Sequence, residues 1–149
     1  MTISSQSDVN DLTSCDTFKG SITISSSFNG AITINNVEQI KGSFIAEGVS
    51  GLTAIVAPDL DSVQGFITIS NLDSLSTITM GALSHVSSGM TITGNPNLKT
   101  VGFQELEEVD GQLELTGSFK RYGNQSNHAT AIIKILTDLL VCRYRHSIK

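Results

Sequence analysis

The sequence predicts a mainly β fold, a right-handed parallel β-solenoid, on three observations. The first is composition: of 149 residues 20 are serine and 15 threonine, against 15% charged and 5% aromatic. A core of Ile, Val and Leu with hydroxyl residues between them suits a pleated surface, because β-branched side chains are stiff at χ1. The second is a repeat of 23 residues. From Gly42, apolar residues fall at Phe44, Ala46, Val49, Leu52, Ile55, Leu60 and Val63, and the blocks opening at Gly65 and Ser88 repeat those offsets without a gap. Across the three blocks 20 of 21 offsets are apolar, Asn95 being the exception, and a fixed period of this size identifies stacked coils. The third is local: the first two apolar positions of each block, as in Ile67-Thr68-Ile69 and Met90-Thr91-Ile92, alternate with period two and read as a strand with one face inward.

In chain order, residues 7–12 read as a short capping helix with Ser7 as N-cap, acids in its first turn, and Val9 and Leu12 facing the first coil. The stretches 20–24 and 30–34 read as strands of an irregular or shortened first coil, with Val37 and Ile40 matching Leu60 and Val63. Glycines before the strands and the turns at Asn35-Asn36, Asn71 and Gly94-Asn95-Pro96-Asn97 provide positive-φ and corner positions. Gly111, Leu113 and Leu115 open a fourth block. Stacked at about 4.7 to 4.9 Å per strand, roughly five coils make a rod about 20 to 25 Å long, and each coil buries its apolar set only against its neighbours.

The net charge of -5 is the sum of two unlike parts. Residues 1–119 hold 13 acids and only Lys19, Lys41 and Lys99, giving -10, while residues 120–149 hold six bases and Asp138, giving +5. The acidic part excludes nucleic acid as a partner, since phosphates call for clustered Lys and Arg. The domain reading is therefore a solenoid over 1–119 and a basic tail over 120–149. Within the tail Ile132, Ile135, Leu136, Leu139 and Leu140 recur at helical spacing, a C-terminal helix that folds over the open end of the solenoid or lies at a membrane interface. It is too short to span a bilayer, which needs about 20 apolar residues. Cys15 and Cys142 are too few and too far apart for a disulfide framework or a zinc site. No export signal is read at Met1-Thr2-Ile3-Ser4-Ser5-Gln6.

The block pattern, and the segment Ile92-Thr93-Gly94-Asn95-Pro96-Asn97-Leu98, resemble the receptor L-domain, a relative of leucine-rich repeats. The stretch Ser5-Gln6-Ser7-Asp8-Val9-Asn10-Asp11-Leu12, Cys15 and Phe18-Lys19-Gly20-Ser21-Ile22-Thr23-Ile24 is similar to the start of the fungal GPI-anchored cell-wall organisation and sporulation-specific proteins. The resemblance covers 5–119. It implies a secreted, N-glycosylated, non-enzymatic surface protein with a second such domain, a Ser/Thr-rich stretch and a GPI signal, concerned with wall integrity and spore-wall formation. It also implies a cysteine just upstream to pair with Cys15, which this chain does not carry. Nor does the ending Arg143-Tyr144-Arg145-His146-Ser147-Ile148-Lys149 read as a GPI signal. The expectation is a fragment, a truncated paralogue, or a gene reading that departs from the family after about Phe119.

The candidate ligand face is the outward side of the strands, where stacking turns Thr23, Ile45, Phe66, Thr68, Thr91 and Glu114 into rows suited to an extended cell-wall glycan or a surface protein. Its bland counterpart is a soluble Ser/Thr face. An ice-binding reading of the same rows is interrupted by Ile45, Phe66 and Glu114. No catalytic residue, cofactor or metal site is assigned: His85, His128 and His146 are far apart and none stands beside a Ser or Cys in a nucleophile context. Glu105, Glu107, Glu108, Asp110 and Glu114 are the densest carboxylates, with Asp59, Asp61 and Asp110 expected towards one edge, and they read as a solvated acidic edge rather than the cation site of a polysaccharide lyase. Asn124 in Asn124-Gln125-Ser126 is the glycosylation candidate. Asn95, in an apolar slot, is expected to bond backbone groups at a coil corner. The function expected is a non-enzymatic wall-organisation module at the cell surface, the runner-up a glycan- or protein-recognition domain, the third a carbohydrate-active β-helix enzyme.

Overall fold

The computed structural model describes residues 1–116, together with the backbone of Arg121 and Tyr122. The chain begins with β1 (Thr2–Ile3), α1 (Gln6–Leu12) and β2 (Thr17–Phe18). The first full coil follows as β3 (Ile22–Ile24), β4 (Asn29–Thr33) and β5 (Gln39–Ile40), the second as β6 (Phe44–Glu47), β7 (Gly51–Val56) and β8 (Ser62–Val63). The third is β9 (Phe66–Ser70), β10 (Thr77–Thr79) and β11 (His85–Val86), the fourth β12 (Gly89–Thr93), β13 (Thr100–Gly102) and β14 (Glu108–Val109), and β15 (Gln112–Leu115) and β16 (Arg121–Tyr122) begin a fifth.

Each coil sends one strand to each of three parallel sheets: β1-β3-β6-β9-β12-β15 is sheet one, β4-β7-β10-β13-β16 sheet two and β2-β5-β8-β11-β14 sheet three. Over the described residues the chain is a β-solenoid of roughly five turns with one short helix, and its stacked parallel coils are those the repeat predicts. The period expresses itself directly in register, with Ile67 against Met90, Ile78 against Val101 and Val63 against Val86. Sequence reading found the strand at the head of each block. It also found β4 of sheet two, read as 30–34, but missed the other strands of sheet two and all those of sheet three, most of which are only two or three residues long and so too short to show alternation.

The first coil is one residue short, and the structure locates the deficit. Ile22 pairs with Phe44, 22 positions on, whereas Ile32 pairs with Ile55, 23 positions on. The register shifts between Gly30 and Ala31, opposite a bulge at Thr53. Thr53 faces the shorter coil without a strand partner, and its carbonyl accepts from the Ser76 amide of the next coil at 2.9 Å.

One apolar core runs the length of the stack, through Ile22, Phe44 and Ile67 behind sheet one, Ile32, Ile55 and Ile78 behind sheet two, and Ile40, Val63 and Val86 behind sheet three. Fully burying a side chain of this size contributes about 1.5 to 3 kcal/mol. Hydroxyls tie coil to coil around that core. Ser43 Oγ accepts from the Phe66 amide at 3.0 Å, Ser88 Oγ donates to the Gln64 carbonyl at 3.1 Å, and Ser84 Oγ donates to Asp61 Oδ1 at 2.7 Å. Corners bend at positive φ on Gly48, Asn71 and Gly94, three residues spaced by the repeat, which is why glycine and asparagine stand there.

The N-terminal end is closed by β1 and α1, whose Ile3, Val9 and Leu12 are buried. The N-cap of α1 is Ser5, not Ser7. The reason lies three residues on: Asp8 Oδ2 accepts from the Ser4 and Ser5 amides at 2.7 and 2.9 Å, and the Asp8 amide donates to Ser5 Oγ, a reciprocal box that Ser7 followed by Asn10 does not form. Thr2 and Ile3, to which the sequence analysis assigns no element, add a strand to sheet one, and the terminal ammonium of Met1 donates to the Ser21 carbonyl at 2.7 Å. At the other end Leu106, Leu113 and Leu115 are only partly buried. Sheet two continues past the change of charge at Phe119, with Arg121 and Tyr122 pairing Thr100 and Val101. The tail helix expected beyond them lies outside the described residues, as do Asn124, His128, Cys142 and His146.

Candidate functional site

The expected ligand face is the outward side of sheet one, and register builds it. Thr23, Ile45, Thr68, Thr91 and Glu114 stand in one unbroken row, each the direct neighbour of the next. Thr2 extends that row by one strand, which the sequence reading did not anticipate. Side chains in such a row repeat at the strand separation of about 4.8 Å. The four central members are half-buried and Glu114 is exposed.

Beside it runs a second row in which Phe66 pairs with Gly89 and Gly89 with Gln112. Phe66 is 56% exposed, the one large apolar ring among the described residues left standing in solvent to that degree. Gly89 has no side chain, and the Phe66 ring lies 3.6 Å from where its Cβ would stand. Ser21 and Ser43, upstream of Phe66, accept from the amides of Ser43 and Phe66 at 3.0 Å each and so brace corners. The named positions of this face carry hydroxyls, an aliphatic side chain, an aromatic ring and one carboxylate, with no nucleophile and base in contact. Chemically it can present a ring and a row of hydroxyls to an extended ligand.

A different group of side chains, not assembled by the sequence reading, lies on the outward side of sheet three. His85 and Glu108 are register partners on β11 and β14. His85 Nδ1 lies 3.3 Å from Glu108 Oε2, and Nε2 lies 3.4 Å from Asp110 Oδ2 and 3.0 Å from Ser87 Oγ. The signal for it was present: Glu108 follows His85 by one 23-residue period, and a repeat converts that separation into adjacency. The Ser87–His85–Glu108 contacts have the connectivity of a Ser–His–acid relay. The Ser87 amide, however, already donates to the Val63 carbonyl at 2.9 Å, and an oxyanion hole of the usual kind draws on the nucleophile's own N–H.

Of the carboxylates expected towards one edge, Asp59 Oδ2 accepts from the Asn36 amide at 2.8 Å and Asp61 Oδ1 accepts from Ser84 Oγ, so both brace neighbouring coils. Asn95 behaves as expected: 3% exposed, it accepts from the Leu72 amide and donates to the Ile69 carbonyl, each at 3.0 Å, tying its coil to the corner of the preceding one. Cys15 is half-buried and unpaired among the described residues. No described helix is long and apolar enough to cross a membrane.

Compared with known proteins, the chain is 48% identical over 60 residues to protein ecm33 of Aspergillus fumigatus, a match that covers 40% of this chain and 15% of the length of that protein. The likeness is thus to a fragment of a fungal ecm33-like protein. No protein-family model matches the chain, and no solved structure does.

Proposed function

We propose, starting from this partial likeness to a fungal ecm33 protein, that the chain is a non-enzymatic structural module of the fungal cell surface or wall. The observation that carries the reading is the 60-residue stretch at 48% identity. The residues that resemble the GPI-anchored wall-organisation and sporulation-specific proteins point the same way, and extend the reading to wall or spore-wall assembly by a lipid-anchored glycoprotein. A β-solenoid suits such a role, because its core and coil-to-coil hydrogen bonds form a rigid rod that needs no ligand to hold its shape.

A second reading, recognition of a wall glycan or surface protein by sheet one, is favoured by one feature: the exposed Phe66 ring beside a row of threonines. Aromatic faces stack on apolar patches while hydroxyls supply directional bonds. One experiment separates the two. The full chain is applied to a glycan array and immobilised wall polysaccharides, and a tagged form secreted by a filamentous fungus is followed by fractionation. Co-fractionation with the wall and no saturable ligand is the expected result. Saturable binding weakened at least tenfold by Phe66→Ala selects the recognition reading, and polysaccharide turnover in the presence of calcium overturns both.

A further inference from the structure

Four outward side chains on two successive coils form a square on sheet three: His85 and Ser87 on one, Glu108 and Asp110 on the next. The parallel register that pairs His85 with Glu108 holds the two coils one strand spacing apart, so the square is set by the fold rather than by a loop. The histidine ring is flanked at both nitrogens, by Glu108 at 3.3 Å and by Asp110 at 3.4 Å. A neutral imidazole has one N–H and one lone pair. In either neutral tautomer one ring nitrogen therefore meets a carboxylate oxygen acceptor to acceptor, a conflict that a cation on that nitrogen, a proton or a metal ion, relieves. Ser87 Oγ, 3.0 Å from Nε2, can donate to that nitrogen but leaves the Asp110 charge uncompensated. Among the described residues His85 is the one basic side chain against Glu108 and Asp110, and no lysine or arginine neutralises them.

We propose that His85, Glu108 and Asp110 hold a divalent transition-metal ion of the zinc class, which clamps one coil to the next. One ligand atom from each residue lies within 4.8 Å of the others. Tetrahedral zinc with bonds of about 2.0 to 2.2 Å places its ligand atoms roughly 3.3 to 3.6 Å apart. Closing the site requires the two exposed carboxylates to turn towards one nitrogen of the half-buried ring, drawing ligand atoms that lie within 4.8 Å of one another to that separation. An imidazole nitrogen favours zinc, copper or nickel over calcium or magnesium, which take oxygen donors. Three protein ligands leave a fourth position open towards Ser87 and solvent. This site stands apart from sheet one and does not depend on the wall reading.

The test is a titration of the full chain with zinc chloride followed by the histidine ring resonances in NMR, His85 being assigned through His85→Gln. The His85 signals are expected to saturate with zinc at least tenfold more tightly than with calcium or magnesium. The double variant Glu108→Gln/Asp110→Asn is expected to weaken zinc at His85 at least tenfold, with His128 and His146 in the same spectrum as internal references. Equal affinity for zinc and calcium, a His85 response no tighter than that of the reference histidines, or a double variant that binds as the parent does would each overturn the proposal. Should the double variant not fold, the comparison of metals and of histidines within the parent chain still decides it.

Discussion

Asn95 shows how a single residue that breaks a pattern can be the one that holds a corner. In the sequence it is the polar intruder among 20 apolar offsets. In the fold its amide satisfies one donor and one acceptor of the preceding coil's backbone, groups that burial would otherwise orphan. Asn95→Leu strands both, and since an unpaired buried polar group costs about 1 to 3 kcal/mol, the variant should lose about 2 kcal/mol net of the apolar burial gained. Chemical denaturation measures this, and an unchanged or raised midpoint would show that the amide has no such role. Phe66 makes the opposite prediction. With its ring more than half exposed, Phe66→Ala should change stability by no more than about 0.5 kcal/mol in the same experiment, which keeps it a clean probe of binding.

Among the elements, the strand-opening glycines look alike in sequence and differ by their place in the stack. A Cβ on Gly65 would come 2.7 Å from the carbonyl carbon of Gly42 in the coil before it, and would also meet the Ser43 hydroxyl. Gly20 has no earlier coil at that corner, and its Cβ would meet only the Phe18 ring at 3.5 Å. Gly65→Ala should therefore cost about 1 to 3 kcal/mol and Gly20→Ala less than about 0.5 kcal/mol, compared by thermal melting. Equal effects would mean that coil-to-coil approach is not what selects glycine. The capping element carries a pH signature. The Ser4 and Ser5 amides, with a smaller contribution from the Ser5 hydroxyl, hold the Asp8 carboxyl below the usual carboxylate range against a slight opposing effect of burial. A depressed carboxylate adds stability above its unfolded pKa, about 3.9, and loses it as pH falls through the lower folded value. The stability difference between the parent and Asp8→Asn should thus be full near pH 6 and shrink as pH falls below about 3.9 and through the lower folded value. A difference that persists at pH 2 would assign Asp8 a role other than its charge.

At the scale of the whole molecule, a stack of coils derives its stability from nearest neighbours, so position along the rod sets the cost of a cavity. Ile55 is fully buried between two coils, and Ile55→Ala should cost about 3 to 4 kcal/mol; Val109, 6% exposed in the last described strand of sheet three, should cost about 1 kcal/mol as Val109→Ala. Urea titrations check the ranking, and a reversed order would mean that the stack does not end its apolar contacts near Val109. Much of the fold was legible without coordinates. The 23-residue period fixed the number of coils, the inward residues and the row from Thr23 to Glu114, because a repeat turns a sequence interval into a spatial neighbour. The same arithmetic contained the pairing of His85 with Glu108, but residue type and proximity in sequence did not draw attention to it, since the two stand 23 positions apart among other polar residues. Three features were decided only by tertiary structure. The strands of sheet three, and the later ones of sheet two, are too short to show alternation and exist because adjacent coils offer them partners. The capping box chose Ser5 because Asp8 can reach back to two amides at once. The bulge at Thr53 arises because one coil lacks a residue that its neighbour has, a mismatch that backbone hydrogen bonding must absorb somewhere. Periodicity, being local and additive along the chain, belonged to the sequence; the closing of corners, caps and side-chain clusters required the coils to meet.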